Sequence, residues 1–230
     1  LKNPIIVVAF FAILTAALLI SGCLGVTMHT TVNGDGKITE VSTELNLSET
    51  NYDLYKSIVQ MSSPGQDMKS YFVDNYSEMY SGPGTVVDYK ERKLNGYVYI
   101  TLTARGSDIQ PQEGSNVTVT KEGDYWVYRY LTSGAASSSS IPTDTSSLSD
   151  SMANMVTLDF YLTMPGNIVD SNAQKIDGNK AEWHLNGNTL NSVDSLYAKS
   201  EVAKSPGFEA IVALMALAAG VYLVAMRKKE

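Results

Sequence analysis

Leu24-Gly25-Val26-Thr27-Met28-His29-Thr30-Thr31-Val32-Asn33-Gly34-Asp35-Gly36-Lys37-Ile38-Thr39-Glu40-Val41-Ser42-Thr43-Glu44-Leu45-Asn46 decides the fold class, together with the change of period just beyond it. Val26, Met28, Thr30 and Val32 alternate with polar neighbours such as His29 and Thr31, the two-residue period of a half-buried strand. Asn33-Gly34-Asp35-Gly36 is a tight-turn sequence, and residues 37–46 form the return strand. The period then changes. Ser48 is placed to cap a helix, in which Tyr52, Tyr55, Ile58, Val59 and Ser62 share one face. Ser63-Pro64-Gly65 breaks it. A second helix is predicted over residues 66–80, with Met68, Tyr71, Phe72, Tyr76, Met79 and Tyr80 as its apolar side, and Ser81-Gly82-Pro83-Gly84 stops it. A hairpin, two helices and further strands predict an α+β fold with a mostly antiparallel sheet.

Strand signals dominate downstream. Residues 85–91 and 96–105 are expected to pair across Arg92-Lys93-Leu94-Asn95, and residues 116–121 and 125–131 across Glu122-Gly123-Asp124. Tyr125-Trp126-Val127-Tyr128-Arg129-Tyr130 is strongly β-prone. Residues 132–150 are rich in serine and read as a flexible loop, after which the sheet continues. Residues 152–164 form a long strand ending at Pro165-Gly166, and residues 167–171 are short and extended. Asp177-Gly178-Asn179 turns into a strand over residues 180–185 that carries Trp183. Asn186-Gly187-Asn188 turns again, and residues 189–199 read as a final strand rather than a short helix.

The 230 residues are 44% hydrophobic and 18% charged, with a net charge of −7, a composition that folds. Both ends are apolar and the middle is acidic. From Cys23 to Pro206, thirteen cationic side chains face twenty-two carboxylates. A nucleic-acid footprint requires the opposite balance, so no nucleic-acid partner is expected. Cys23 is the single cysteine, which excludes an intrachain disulfide and a thiolate metal cluster. About 180 residues are enough for one apolar core.

The ends carry two resemblances. Lys2 and an uncharged stretch over residues 5–20 lead into Ile20-Ser21-Gly22-Cys23, which resembles the lipobox of prokaryotic lipoproteins; the thiolate is the one good nucleophile available for alkylation. At the other end Pro206-Gly207-Phe208-Glu209 precedes the apolar residues 210–226 and the basic Arg227-Lys228-Lys229. This resembles the PGF-type C-terminal sorting signal of archaeal, methanogen-like surface proteins. The resemblances imply a signal peptide over residues 1–22, lipid on Cys23, an extracellular domain over residues 23–204 and a sorting signal or transmembrane anchor over residues 205–230. They also imply membrane lipid and the lipoprotein-processing and sorting enzymes as partners. A plain C-terminal membrane helix is the alternative for that end, and the basic tail again leaves the domain outside.

A third resemblance lies in the middle. Leu162-Thr163-Met164-Pro165-Gly166-Asn167-Ile168-Val169-Asp170-Ser171-Asn172-Ala173 and Ile176-Asp177-Gly178-Asn179-Lys180-Ala181-Glu182-Trp183-His184-Leu185 are similar to a pattern in the mycobacterial-type membrane-anchored lipoprotein family. Its shared features are Pro-Gly after a strand, Asn before a variable turn, Gly-Asn, and Trp in the next strand. That resemblance implies an α+β domain between a lipidated N-terminus and a C-terminal helix, with a lipid or glycolipid ligand.

Residues able to carry chemistry are few. His29 sits opposite the Val/Met face of its strand, and His184 neighbours Trp183 without further ligands in sequence, so no metal site is expected. Asp35 belongs to a turn rather than a calcium loop. Nucleophile-elbow, Walker and dinucleotide motifs are missing. Asp53 and Glu49 read as helix surface, and Glu91 and Glu122 have no assignable relation. Neither a catalytic residue nor a cofactor is expected. The fourteen tyrosines allow either a closed core with phenols at its edges or a groove lined by tyrosine, Met68 and Met79 for an apolar ligand. Asn46, Asn75 and Asn116 open Asn-x-Ser/Thr sequons, possible glycosylation sites. The expectation is a non-enzymatic cell-surface protein with an envelope-structural or interaction role involving envelope proteins. The alternative is a binding module for a lipid, glycolipid or other apolar ligand, and the third class is an envelope enzyme.

Overall fold

The structure, a computed structural model, describes residues 24–112, 115–132, 156–186, 189 and 192–202. The expected signal peptide over residues 1–22, Cys23, the expected serine-rich loop beyond Thr132 and the C-terminal segment with Pro206, Gly207 and Phe208 lie outside the described residues. The elements are β1 (Leu24–Val32), β2 (Ile38–Ser48), α1 (Glu49–Ser62), α2 (Met68–Met79), β3 (Tyr80–Ser81), β4 (Val86–Leu94), β5 (Tyr97–Pro111), β6 (Val117–Glu122), β7 (Tyr125–Leu131), β8 (Val156–Thr163), β9 (Ile168–Ser171), β10 (Lys175–Asp177), β11 (Lys180–Asn186) and β12 (Ser195–Glu201). This is an α+β fold. Among the described residues no helix is long and apolar enough to cross a membrane.

The expected hairpin forms between β1 and β2. Its turn is organised by Asn33, whose Oδ1 accepts the backbone N–H of Asp35 at 3.0 Å and of Lys37 at 2.9 Å. Ser48 caps α1, accepting Asn51 N–H at 3.3 Å, and Asp67 caps α2, accepting Ser70 N–H at 2.7 Å.

Two expectations need correction, the single sheet and the turn at 92–95. The strands form two sheets rather than one continuous sheet. Eight strands lie in the order β10-β11-β8-β1-β2-β5-β3 with β4 also on β5, and four in the order β6-β7-β12-β9. The larger sheet also contains a parallel pair, since β1 runs alongside β8 from Leu24↔Val156 to Thr31↔Thr163. The expected four-residue turn at 92–95 is instead a two-residue Asn95-Gly96 turn, with φ of 53° and 79°. Asn-Gly is the pair that tolerates two successive positive φ angles, so Arg92, Lys93 and Leu94 stay in the ladder opposite Tyr99, Val98 and Tyr97. Smaller shifts concern β10, which the sequence pattern does not announce, α2, which stops at Met79 so that Tyr80 enters β3, and β12, which starts at Ser195.

Register places Val41, Leu45 and Leu47 opposite Ala104, Ile100 and Val98. It places Phe160 opposite both Met28 and Trp183. This inner face is covered in two ways. The helices bury Tyr55, Val59, Phe72 and Tyr76 against it, and Phe72 stacks on Tyr89 with centroids 6.3 Å apart. The second sheet covers the other half, where Tyr128 and Tyr130 approach the Phe160 ring at 6.1 and 6.0 Å. One continuous core results.

β1 spans about 26 Å at a rise of ~3.3 Å per residue. The described chain enters at its Leu24 end and leaves at the other. Glu201 N–H donates to Asn167 O at 3.0 Å and Val202 N–H to Asp124 O at 2.9 Å. Asn167 follows the end of β8, which is parallel to β1.

Candidate functional site

The polar alternates of the large sheet turn away from the core and form an outer face. On its β2–β5–β4 half, Arg105 bridges Glu40 at 2.8 Å and Asp88 at 2.9 Å. Arg92 lies 3.7 Å from the centre of the Tyr99 ring and 3.5 Å from Glu44. These exposed pairs contribute little stability but hold most of the face's charge in paired form.

The β1–β8–β11 half brings together residues that are far apart in sequence. The His29 ring stacks on Tyr161 with centroids 4.6 Å apart and planes 10° apart. Tyr161 meets His184 edge-on at 6.0 Å. His184 Nδ1 lies 2.7 Å from Asp159 Oδ1, and its Nε2 lies 3.9 Å from Glu182, which also holds Lys175 at 2.9 Å. Both histidines of the chain therefore share one exposed face, a grouping that sequence reading missed. The alternation in each strand was the available signal, and the pairing of β8 with β1 and β11 was not readable locally. An Asp–His pair in a hydrolase turns its second nitrogen to a hydroxyl or thiol nucleophile, whereas this one faces a carboxylate. Among the described residues no group of three or more His, Cys, Asp and Glu could hold a metal ion.

The tyrosine- and methionine-lined groove does not form. Tyr52, Tyr55, Tyr71, Tyr76, Tyr80 and Met68 are buried in the core, because the helices lay that face directly on β2 and β5. Burial holds the Tyr55, Tyr76, Tyr80 and Tyr128 phenols well above their ordinary range. Tyr52 is pushed up to about 12, first by burial and then by Glu91. Tyr52 and Tyr89 both donate to Glu91 Oε2, at 2.9 and 2.6 Å, and seal the edge of the core. Glu122 lies in the other sheet, 3.8 Å from Lys199. A shallow cleft of about 260 Å³ opens between the sheets, lined by Ile38, Ile109, Pro111, Val117 and Val119. It is rimmed by the Lys37–Asp108 ion pair at 2.8 Å, and is smaller than the ~300–1,000 Å³ of ordinary ligand sites.

The three sequons have different surroundings. Asn46 lies within β2, its Oδ1 buried and unpartnered. Asn75 lies within α2, its Nδ2 donating to Tyr71 O at 2.6 Å. Asn116 sits in a bend just ahead of β6.

No family model matches the chain. Among solved structures it is similar to the folded domain of the Mycobacterium tuberculosis protein LppM, with 16% identity, a TM-score of 0.41, and coverage of 81% of this chain and 95% of that one. It is also similar to yeast LTA4 hydrolase, with 9% identity, a TM-score of 0.30, and coverage of 78% of this chain and 28% of that one. Likenesses at this level assign neither fold nor function to the chain. A protein of Archaeoglobus fulgidus, described only as uncharacterized, is 32% identical over 209 residues, 91% of each chain. At that identity over nearly the whole length, the chain belongs to the family of this Archaeoglobus fulgidus protein.

Proposed function

We propose that the chain is a non-enzymatic surface lipoprotein of an archaeal cell, which works in the envelope by contact rather than by chemistry. The observation that carries this reading is that Leu24, the residue after Cys23, already lies in β1. A lipid on that thiol holds the central strand of the large sheet at the membrane without a spacer. The closed core and the paired charges of the outer face support contact over catalysis. The partners are membrane lipid, the lipoprotein-processing enzymes at Cys23, the sorting enzymes at Pro206, Gly207 and Phe208, and envelope proteins that meet the exposed outer face. The second reading, a binding module for a lipid or glycolipid, is favoured by the apolar cleft at Ile109 and Val117 alone. Intact mass of the protein purified from native membranes, with peptide coverage of both ends, is the test. The expected product begins at a modified Cys23 and ends near Pro206 with added lipid. An unmodified start near Leu1 overturns the lipoprotein reading, and an end at Glu230 overturns processing at the sorting signal. A non-covalent lipid that stays on the folded protein in native mass spectrometry favours the second reading.

A further inference from the structure

We infer that the tip of the β4–β5 hairpin is a foot that contacts an anionic lipid surface and sets the tilt of the domain beside its N-terminal tether. The inference rests on the reading that the domain is held at a membrane. Leu94 and Tyr97 face each other across the Asn95-Gly96 turn and stay 50% and 42% exposed, the apolar and amphipathic residue types that settle at a membrane interface. Lys90, Arg92 and Lys93 are exposed within the five residues before the turn, a cationic cluster on a domain that is otherwise acidic. The carboxylates nearby are Glu44, close to Arg92, Glu91, which accepts from Tyr52 and Tyr89, Glu49 at the start of α1, and Asp53, near the Tyr52 ring under Lys93.

The tip lies at the pole where the chain enters. Glu49 N–H donates to Gly96 O at 3.0 Å, Asn46 is paired with both Gly25 and Tyr99, and three strand spacings, about 14 Å, separate β1 from β4. At the opposite pole the turns carry Asp35, Asp124 and Asp177. A single tether leaves a domain free to swivel, and a basic, aromatic contact near it supplies a second point of attachment. Cations on an edge strand also discourage strand pairing between molecules. That role accounts for Lys90 and Arg92 but not for an exposed Leu94 and Tyr97 at the tip.

The test uses the full chain in vesicles of phosphatidylcholine with phosphatidylglycerol, with an environment-sensitive fluorophore at Leu94→Cys or, at the far pole, at Asp35→Cys. The probe at 94 is expected to shift to the blue and to be quenched by aqueous iodide several-fold less than the probe at 35. Adding K90E, R92E and K93E, or omitting phosphatidylglycerol, is expected to remove that protection. Circular dichroism checks folding, and Tyr97→Cys replaces Leu94→Cys if the latter does not fold. Equal quenching at the two poles, or protection that survives charge reversal, overturns the foot. The mass of Cys23 in the same sample reports on the tether separately. An unmodified thiol in protein still held by its C-terminal segment sinks the lipid reading, while the probe at 94 still answers for the tip.

Discussion

The side-chain oxygen of Asn172 accepts the indole N–H of Trp183 at 3.0 Å and, from the other sheet, the backbone N–H of Tyr197 at 2.9 Å. The Asn172 Nδ2 donates to Ser195 O at 2.7 Å. One amide thereby joins β11 to β12. Asn172 and Trp183, both within the lipoprotein-like stretches of the sequence, form a structural latch.

Asn172→Ala leaves the indole of a buried tryptophan without its partner and frees two backbone groups of β12. A loss of about 2 to 3 kcal/mol is expected, measured by urea unfolding. Asn172→Asp keeps the acceptor and loses only the donor, so it should fall between Ala and wild type. Equal stability of Ala and wild type would sink the latch.

Gly36 is a second junction between the sheets. Trp126 donates to Gly34 O at 3.1 Å, and a Cβ on Gly36, whose φ is +74°, would come within 2.2 Å of the indole. Gly36→Ala is expected to cost about 2 to 4 kcal/mol from strain and overlap. In a Trp126→Ala background the overlap is gone, so the added cost of Gly36→Ala should shrink by about 1 to 2 kcal/mol. Strict additivity in this double-mutant cycle would contradict the packing described.

The buried phenols set an alkaline limit. Folding raises the Tyr52 pKa from 10.0 to about 12, and burial moves Tyr55, Tyr76 and Tyr128 upward as well. A group raised by folding contributes stability that is fully present below its unfolded pKa and is lost as pH rises through the folded value. Stability should therefore hold up to about pH 10 and fall steeply towards pH 12. Ultraviolet difference titration should show exposed phenols ionising first and the buried set only together with unfolding. Ionisation of every tyrosine near pH 10 in folded protein would contradict this order.

Asn116 is the sequon that the folded chain offers to a glycosyltransferase. Asn75 is helical with its amide engaged, and Asn46 is locked between neighbouring strands. Glycopeptide mapping of native protein should place sugar on Asn116 and leave Asn46 and Asn75 bare. Removal of the sugar shift by Asn116→Gln checks the assignment, and sugar on Asn75 would refute it.

What could be read from the sequence was local. The Asn33–Gly36 turn, the Ser48 cap and the strand alternation each depend on residues within a few positions of one another, and all appear where their chemistry puts them. The β4–β5 turn was displaced because Arg92 and Lys93 look like loop residues, although on an edge strand charged side chains stand on both exposed sides of the ladder. The His29, Tyr161 and His184 cluster was hidden for a different reason. Each residue's face was legible, but the register joining three distant strands is set by the burial of Phe160, Leu162 and Trp183 and leaves no mark near either histidine. The sequence left the tyrosines open between a closed core and a groove for the same reason, since a helix's apolar face does not say what lies beneath it.

The central position of β1 has a consequence for how the protein is made. The chain is synthesised from its N-terminus, so β1 is the first of these strands to emerge, and β2 can pair with it at once. Its other edge has no partner until β8 emerges, more than a hundred residues later. Until then a row of free backbone amides and carbonyls stands open, the kind of edge that recruits strands from other chains. Closing it is a slow, non-local step. Crowding during synthesis should therefore put this protein at greatest risk of mispairing, and a chain truncated before β8 should aggregate even though its hairpin and both helices are intact.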